Sequence, residues 1–348
     1  MRTDLFDYKL PPELIAQEPR TRGQSRLLVL HRSDGSMQHC HFSDLLNFLN
    51  PNDTLVLNDT RVIARRLTGI LTSGATAEVF LLRPLEETQW AALVRPGRAL
   101  RVGKEVSLTS HPSDNASITA KVIGIEPDGT RLLEFHTREA RDNAGSWGES
   151  PLPPYIRTAL PSGEEERYQT VYARHNGSAA APTAGLHFTP ELLDKIKSKG
   201  ITIAFVTLHV GIDTFRPVKV VDTSEHEMHG EWVSVSEEAA NIINQTTGRV
   251  VAIGTTSVRA LEAAAHLSKN SYNSARVAAY TGETHLFITP GFRFQAVDAI
   301  VTNFHLPQST LLMLISAFAD RNLILKAYSA AIDEGYQFYS FGDAMLII

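Results

Sequence analysis

The chain of 348 residues has one cysteine, Cys40. No intramolecular disulfide and no cysteine-built zinc site can therefore form, and a reducing compartment is the plain expectation. Long apolar stretches are also missing. The run Leu311–Ala319, broken only by Ser316, is far shorter than the roughly 20 residues a membrane-spanning helix needs. The opening Met1-Arg-Thr-Asp-Leu-Phe-Asp places acids where a signal peptide carries apolar residues, so a cytoplasmic protein with no membrane partner is expected. No GxGxxG follows a strand, and neither GxxxxGK[ST] nor GxSxG occurs. Dinucleotide folds, Walker-type phosphate loops and the serine-hydrolase elbow thus have no support.

Charge is sparse. Lys and Arg number 33 against 38 Asp and Glu, a formal net charge of −5, which argues against retention on nucleic acid by bulk charge alone. The first 110 residues nevertheless carry 14 basic against 12 acidic side chains, so a local basic patch can exist there.

What is present reads as an α/β chain with an insertion. Leu27–His31 and Thr54–Leu57 are short apolar strands, Pro11–Gln17 opens like a helix, and Ser43–Leu49 reads as a capped one. From about Leu67 the pattern changes to short strands separated by turn residues: Thr76–Leu82, Trp90–Val94, Glu105–Leu108, Ser117–Ile125 and Arg131–Phe135. Beyond Pro151 strands again alternate with helices: helix Pro190–Lys199, strand Ile201–Leu208, strand Val250–Ile253, helix Ser257–Leu267, strand Ala299–Val301 and helix Ser309–Arg321. The expected fold is a mixed sheet with flanking helices, built from residues 1–66 and 151–348, with a small all-β barrel inserted at 67–150.

Four segments concentrate polar chemistry. Glu225-His-Glu-Met-His-Gly-Glu231 interleaves carboxylates with His226 and His229, but the histidines are one residue too close for the HExxH of a zinc helix. A hydrogen-bonded loop is the plainer reading, and a metal-dependent hydrolase is the competing one. Gly254-Thr-Thr-Ser-Val-Arg259 follows a strand and opens a helix, where hydroxyls cap free N–H groups and the dipole favours an anion. Strand ends in an open α/β sheet are where ligands lie. His187, His209 and His305 each stand at a candidate strand end, and their convergence on one sheet edge would make a pocket. Arginines cluster around Arg20–Arg26, Arg61–Arg66 and Arg95–Arg101, a footprint shared by solvated faces and by RNA-binding surfaces.

These segments, taken in order, are similar to a known family. Phe6-Asp-Tyr, Leu14-Ile-Ala-Gln-Glu-Pro, Ser25-Arg-Leu-Leu, Asn58-Asp-Thr-Arg-Val, Leu152-Pro-Pro-Tyr-Ile and Tyr168-Gln-Thr-Val-Tyr carry the likeness through the first half. Ala180-Ala-Pro-Thr-Ala-Gly-Leu-His-Phe, Leu208-His-Val-Gly, Glu225-His-Glu-Met-His, Gly254–Arg259, Thr302-Asn-Phe-His-Leu-Pro and Phe341-Gly-Asp-Ala-Met-Leu carry it through the second. The chain resembles the S-adenosylmethionine:tRNA ribosyltransferase-isomerases of queuosine biosynthesis. Ala64 departs from the family pattern, which often has proline there.

The resemblance implies a two-domain enzyme that transfers and isomerises the ribosyl part of S-adenosylmethionine. The acceptor would be 7-aminomethyl-7-deazaguanine at the wobble position of a tRNA with a GUN anticodon, and the products epoxyqueuosine-tRNA, adenine and methionine. S-adenosylmethionine would be consumed as a substrate, with no further cofactor and no metal, and the chain is expected to be a monomer. Among the candidate acids and bases His187, His209, His305, Glu225, Glu227, Asp213 and Asp343, His209 and His305 are favoured, with the Glu225–His229 loop (His226 included) assisting. Gly254, Thr255, Thr256, Ser257, Arg259 and Asn303 are expected to bind S-adenosylmethionine. Arg22, Arg26, Asn58, Asp59, Arg61 and Arg66, with Tyr155 and Tyr168 as stacking rings, are expected to bind tRNA.

Overall fold

Strand Thr54–Asn58 is buried at every residue, as a strand covered on both faces must be. A computed structural model describes the chain except for residues 64, 110–115, 128, 149–151, 154, 158–163, 212–217, 219, 229 and 270–274. Ala64, Asp213 and His229 therefore lie outside the described residues. Two compact units divide it: Met1–Thr60, Pro153–His175 and Pro182–Ile348 form one, and Arg61–Leu152 with Asn176–Ala181 the other.

The larger unit is built on a nine-stranded sheet. Its order is Tyr280–Thr284, Glu231–Val235, Thr202–Leu208, Thr54–Asn58, Val250–Ile253, Ala299–Asn303, Ala344–Ile347, Arg26–Leu30 and Met37–His41. The four strands from Thr202–Leu208 to Ala299–Asn303 run parallel, and Ala344–Ile347 runs against them. Alternate residues Leu55, Leu57, Val251, Ile253, Ala299 and Val301 pack with Leu192, Leu193 and Ile196 of helix Pro190–Ser198. Their neighbours Val56, Ala252 and Ile300 are equally buried, so neither face is open. Helix Thr255–Lys269 leaves the end of strand Val250–Ile253 and lies along the central strands.

Local departures from the sequence reading have local causes. Pro12–Leu14 and Phe42–Phe48 are 3-10 turns instead of α-helices; the second is capped reciprocally, with the backbone N–H of His41 donating to Asp44 at 2.9 Å. The expected helix Ser309–Arg321 is present as Thr310–Ala319, and a second helix that was not expected, Arg321–Asp333, follows it. Asp320 ends the first with φ 68° and caps the second with its carboxylate.

The smaller unit holds a closed barrel in the order Arg131–Phe135, Gln89–Arg95, Thr76–Pro84, Arg65–Leu71, Glu105–Thr109 and Ile118–Ile125, antiparallel throughout. Leu67, Val79, Leu81, Ala92, Val106, Leu108, Val122, Leu133 and Phe135 fill it. Its first strand begins at Arg65, two residues before the boundary read from composition, because paired arginines hide the start of the apolar alternation. Helix Arg138–Ser146, capped by Thr137, contributes Ala144 to this core and was not expected.

Candidate functional site

The parallel register brings four strand ends to one edge of the sheet: Leu208, Asn58, Ile253 and Asn303. Ala344 pairs with Asn303 and Leu27 with Ala344, so Asp343 and Ser25–Arg26 reach the same edge. Motifs scattered over the sequence therefore meet.

Asn303 is buried, and its side-chain amide donates to the carbonyl of Tyr339 at 3.0 Å and faces Nε2 of His187 at 3.3 Å. With Nε2 accepting, the His187 proton sits on Nδ1, which reaches Ser25 Oγ at 2.9 Å. Burial pushes His187 down to about 4, and the nearby Arg22 and Arg20 charges act in the same direction, so the imidazole is neutral at pH 7. Tyr339 has φ 71°, a left-handed conformation rare outside glycine, and its carbonyl is the one Asn303 holds.

His305 is also buried. Its Nε2 lies 2.7 Å from Thr302 Oγ1, and its backbone N–H donates to the Tyr328 hydroxyl at 2.8 Å. Burial alone pushes it down to about 3. Burial this deep favours the neutral imidazole, which hydrogen-bonds at the edge through Nε2. His209 differs. It is half-buried, its Nδ1 is 2.7 Å from Thr60 Oγ1, and its ring stacks on Trp232 with centroids 4.8 Å apart and planes 16° apart.

At the helix start, Gly254 has φ 85°, a conformation that glycine adopts without strain, and donates its N–H to Val301 at 2.7 Å. Ser257 Oγ turns back to the carbonyl of Ile253 at 2.7 Å. Arg259 is buried in an ion pair with Glu231, whose other oxygen accepts the Gly211 N–H at 3.1 Å. Ser257 and Arg259 are thus engaged within the protein, although Arg259 Nη2 remains a buried nitrogen without a hydrogen-bond partner. Thr255 is buried beside them. Thr256 Oγ1 and Asn303 Oδ1, on adjacent strand ends, are buried polar atoms without a hydrogen-bond partner in the protein. Unpaired buried polar atoms are costly, and these two stand where a ligand's donors would satisfy them.

Several expected nucleic-acid contacts are engaged elsewhere. Asn58 bonds both the N–H and the carbonyl of Leu208 at 3.0 Å, locking two strand ends together. Asp59 is buried, accepts from Thr207 Oγ1 at 2.7 Å, and burial raises its carboxyl above the ordinary range. Arg22 donates to the carbonyls of Leu186, Gln169 and Glu166 at 3.0, 2.6 and 3.1 Å. Arg26 donates to the Glu334 carbonyl and lies 3.8 Å over the Tyr336 ring. Arg61 and Arg66 belong to the barrel unit, where Arg66 pairs with Glu78. Tyr168 is fully buried edge-on to Phe341, so it has no face for a base; Tyr155 packs on Tyr339 at 4.7 Å and bonds Ser340 at 2.6 Å.

Glu225 ends an exposed 3-10 turn capped by Asp222, and His226 packs against Phe287 at 5.2 Å. Among the described residues no three His, Cys, Asp or Glu side chains converge on a common point. Residues the sequence did not single out are Ser25, Ser340, Thr60 and Trp232. Ser25 was visible at the head of a motif, but nothing in its spacing announced the histidine it would meet.

Comparison with known proteins gives the class to which this fold and this edge belong. Residues 3–347 match the family described as queuosine biosynthesis protein, and the chain belongs to that family. The S-adenosylmethionine:tRNA ribosyltransferase-isomerase of Moorella thermoacetica is 51% identical and that of Staphylococcus haemolyticus 48% identical, each over the full length of both chains. The crystal structure of a Thermotoga maritima S-adenosylmethionine tRNA ribosyltransferase is 39% identical, covers 99% of this chain and 100% of its own, and superposes with a TM-score of 0.55. No described helix is long and apolar enough to cross a membrane.

Proposed function

We propose that the chain is an S-adenosylmethionine:tRNA ribosyltransferase-isomerase. It transfers the ribosyl part of S-adenosylmethionine to 7-aminomethyl-7-deazaguanine at the wobble position of tRNAs with a GUN anticodon, isomerises it to the epoxide of epoxyqueuosine, and releases adenine and methionine. The observation that carries the reading is the sheet edge on which Thr256 Oγ1 and Asn303 Oδ1 lie unpartnered, Asn303 facing His187, with His209 at the end of a further strand of the same edge.

The chemistry makes three demands. The sulfonium acidifies the ribose 5′ hydrogens, and a base must take one. The departing adenine needs a proton on a ring nitrogen, and the attacking amine must be neutral. His209, half-buried and oriented by Thr60, is our candidate for proton transfer, a role worth roughly 10²–10⁴-fold. Neutral His187 and Asn303 orient donor groups, and Thr256 takes a ribose hydroxyl. The remaining acceleration falls to orientation and to fixed dipoles at the edge. S-adenosylmethionine is the only small molecule required, and the chain acts as a cytoplasmic monomer.

Adenine release from S-adenosylmethionine tests the reading, with tRNA carrying the aminomethyl-deazaguanine base and unmodified tRNA as the control. Release confined to the modified tRNA is the expected result. Equal release with both, or none from folded protein, refutes it. A metal-dependent hydrolase instead predicts stoichiometric zinc by elemental analysis.

A further inference from the structure

A cavity of about 460 Å³ opens beside His187, lined among others by Arg20, Arg22, Arg167, Ser25, His187 and Ser340. Nothing in the reaction as drawn above uses it. Three guanidinium groups face it, and their charge is unevenly compensated. Arg167 pairs with Glu164, and Arg20 with Asp343 at 2.9 Å. Asp343 also accepts the N–H groups of Arg26 and Gln337, at 2.7 and 2.8 Å. Arg22 makes no ion pair among the described residues: it donates to three carbonyls, and the more distant Glu166 carboxylate offsets part of its charge. Positive charge is therefore left facing the cavity.

Donors are left over as well. A guanidinium has five N–H groups, and Arg20 gives one to Asp343. Ser25 is 4% exposed, and because it accepts from His187 Nδ1 its own hydroxyl hydrogen is free to donate. A monoanion with two acceptor oxygens matches this wall, and the planar guanidinium fork favours a carboxylate bound through both oxygens.

The geometry points to this cavity as the seat of the α-carboxylate of S-adenosylmethionine, an inference that rests on the transferase reading. Its position suits a molecule of that length. Ala184, in the same turn as His187, lies against Gly254, where a Cβ would come 3.5 Å from it. The nucleoside at Gly254–Thr256 and the amino-acid end beside Ser25 would then be bridged by the Thr183–His187 turn. The carboxylate accordingly leaves the Gly254 helix start to the ribose.

The test compares S-adenosylmethionine with its decarboxylated form in adenine release with modified tRNA, using Arg20→Gln, Arg20→Lys and Ser25→Ala. Arg20→Gln is expected to raise KM for S-adenosylmethionine by about tenfold, the loss of one charge-assisted contact, with kcat within about twofold. Arg20→Lys, which keeps the charge and the Asp343 pair, recovers most of the loss, and Ser25→Ala gives a smaller rise. KM for the decarboxylated donor stays unchanged in both Arg20 variants. Equal effects on both donors would mark a structural defect through Asp343 and overturn the assignment, as would no effect on either. Weaker tRNA binding with undiminished preference for the carboxylate would place a nucleic-acid phosphate there and overturn it too. Equilibrium binding of L-methionine against 3-(methylthio)propylamine reads the same carboxylate preference without turnover. If the wild-type protein released no adenine, the transferase reading would fail while this second measurement still decided the cavity.

Discussion

The side-chain amide of Asn303 lies 3.3 Å from Nε2 of His187 and 3.0 Å from the carbonyl of Tyr339, so one residue at a strand end holds both a histidine and a strained backbone turn. Asn303→Ala leaves a buried imidazole nitrogen and a buried carbonyl without their donor. A loss of about 1–3 kcal/mol in stability is expected, to be read from urea unfolding. An unfolding curve that superposes on the wild type would show that the amide does not hold the turn.

Acid should weaken the fold in a defined window. His187 and His305 are held near 4 and 3, against an ordinary 6.5, so the unfolded chain binds protons more readily than the folded one. Stability from these groups is complete above about pH 6.5 and declines as pH falls toward 4. At pH 5 each costs about 2 kcal/mol relative to pH 7. His187→Gln and His305→Gln should each flatten the pH dependence of the unfolding free energy, although both variants are less stable at pH 7. A slope unchanged in both would mean that other groups control acid sensitivity.

The Arg259–Glu231 pair is buried on both sides. Glu231→Gln strands a guanidinium away from water, and a loss of about 3–5 kcal/mol is expected. The double variant Glu231→Leu, Arg259→Met removes both charges and should recover much of that loss. A double-mutant cycle in denaturant measures the coupling, and strict additivity would deny it.

His209→Ala should lower kcat for adenine release by roughly 10²–10⁴-fold. Trp232→Phe keeps an aromatic partner for the imidazole and should cost far less. If the two variants were equally impaired, the stack and not the imidazole's proton chemistry would carry the effect.

The order of strands and helices was legible because the central strands are continuous apolar runs punctuated by glycine and hydroxyl residues, as at Ile253-Gly254-Thr255. The mixed sheet and the barrel followed from that punctuation. Helix Arg138–Ser146 was not legible, because its low apolar content gives little periodic signal and Thr137 was its only clear mark. At the site, His209 and His305 could be named as strand-end residues from spacing, whereas His187 lies in the Thr183–His187 turn, and how deeply each is buried belongs to the tertiary structure. The partners of the arginines were hidden for a related reason. Arg22 clamps the carbonyl of Leu186 and Arg259 meets a buried carboxylate 28 positions away, partners that no local spacing announces.

Strand Ala344–Ile347 sits between Ala299–Asn303 and Arg26–Leu30 and, among the described residues, joins the Arg26–His41 hairpin to the rest of the sheet's hydrogen-bond ladder. The hairpin is made early by the ribosome, but its partner is made more than 300 residues later. Until then its apolar strand Leu27–Leu30 has an unfilled edge, a state in which chains pair wrongly with one another. The nascent protein thus carries an unfilled strand edge until Ala344–Ile347 is free to pair with it.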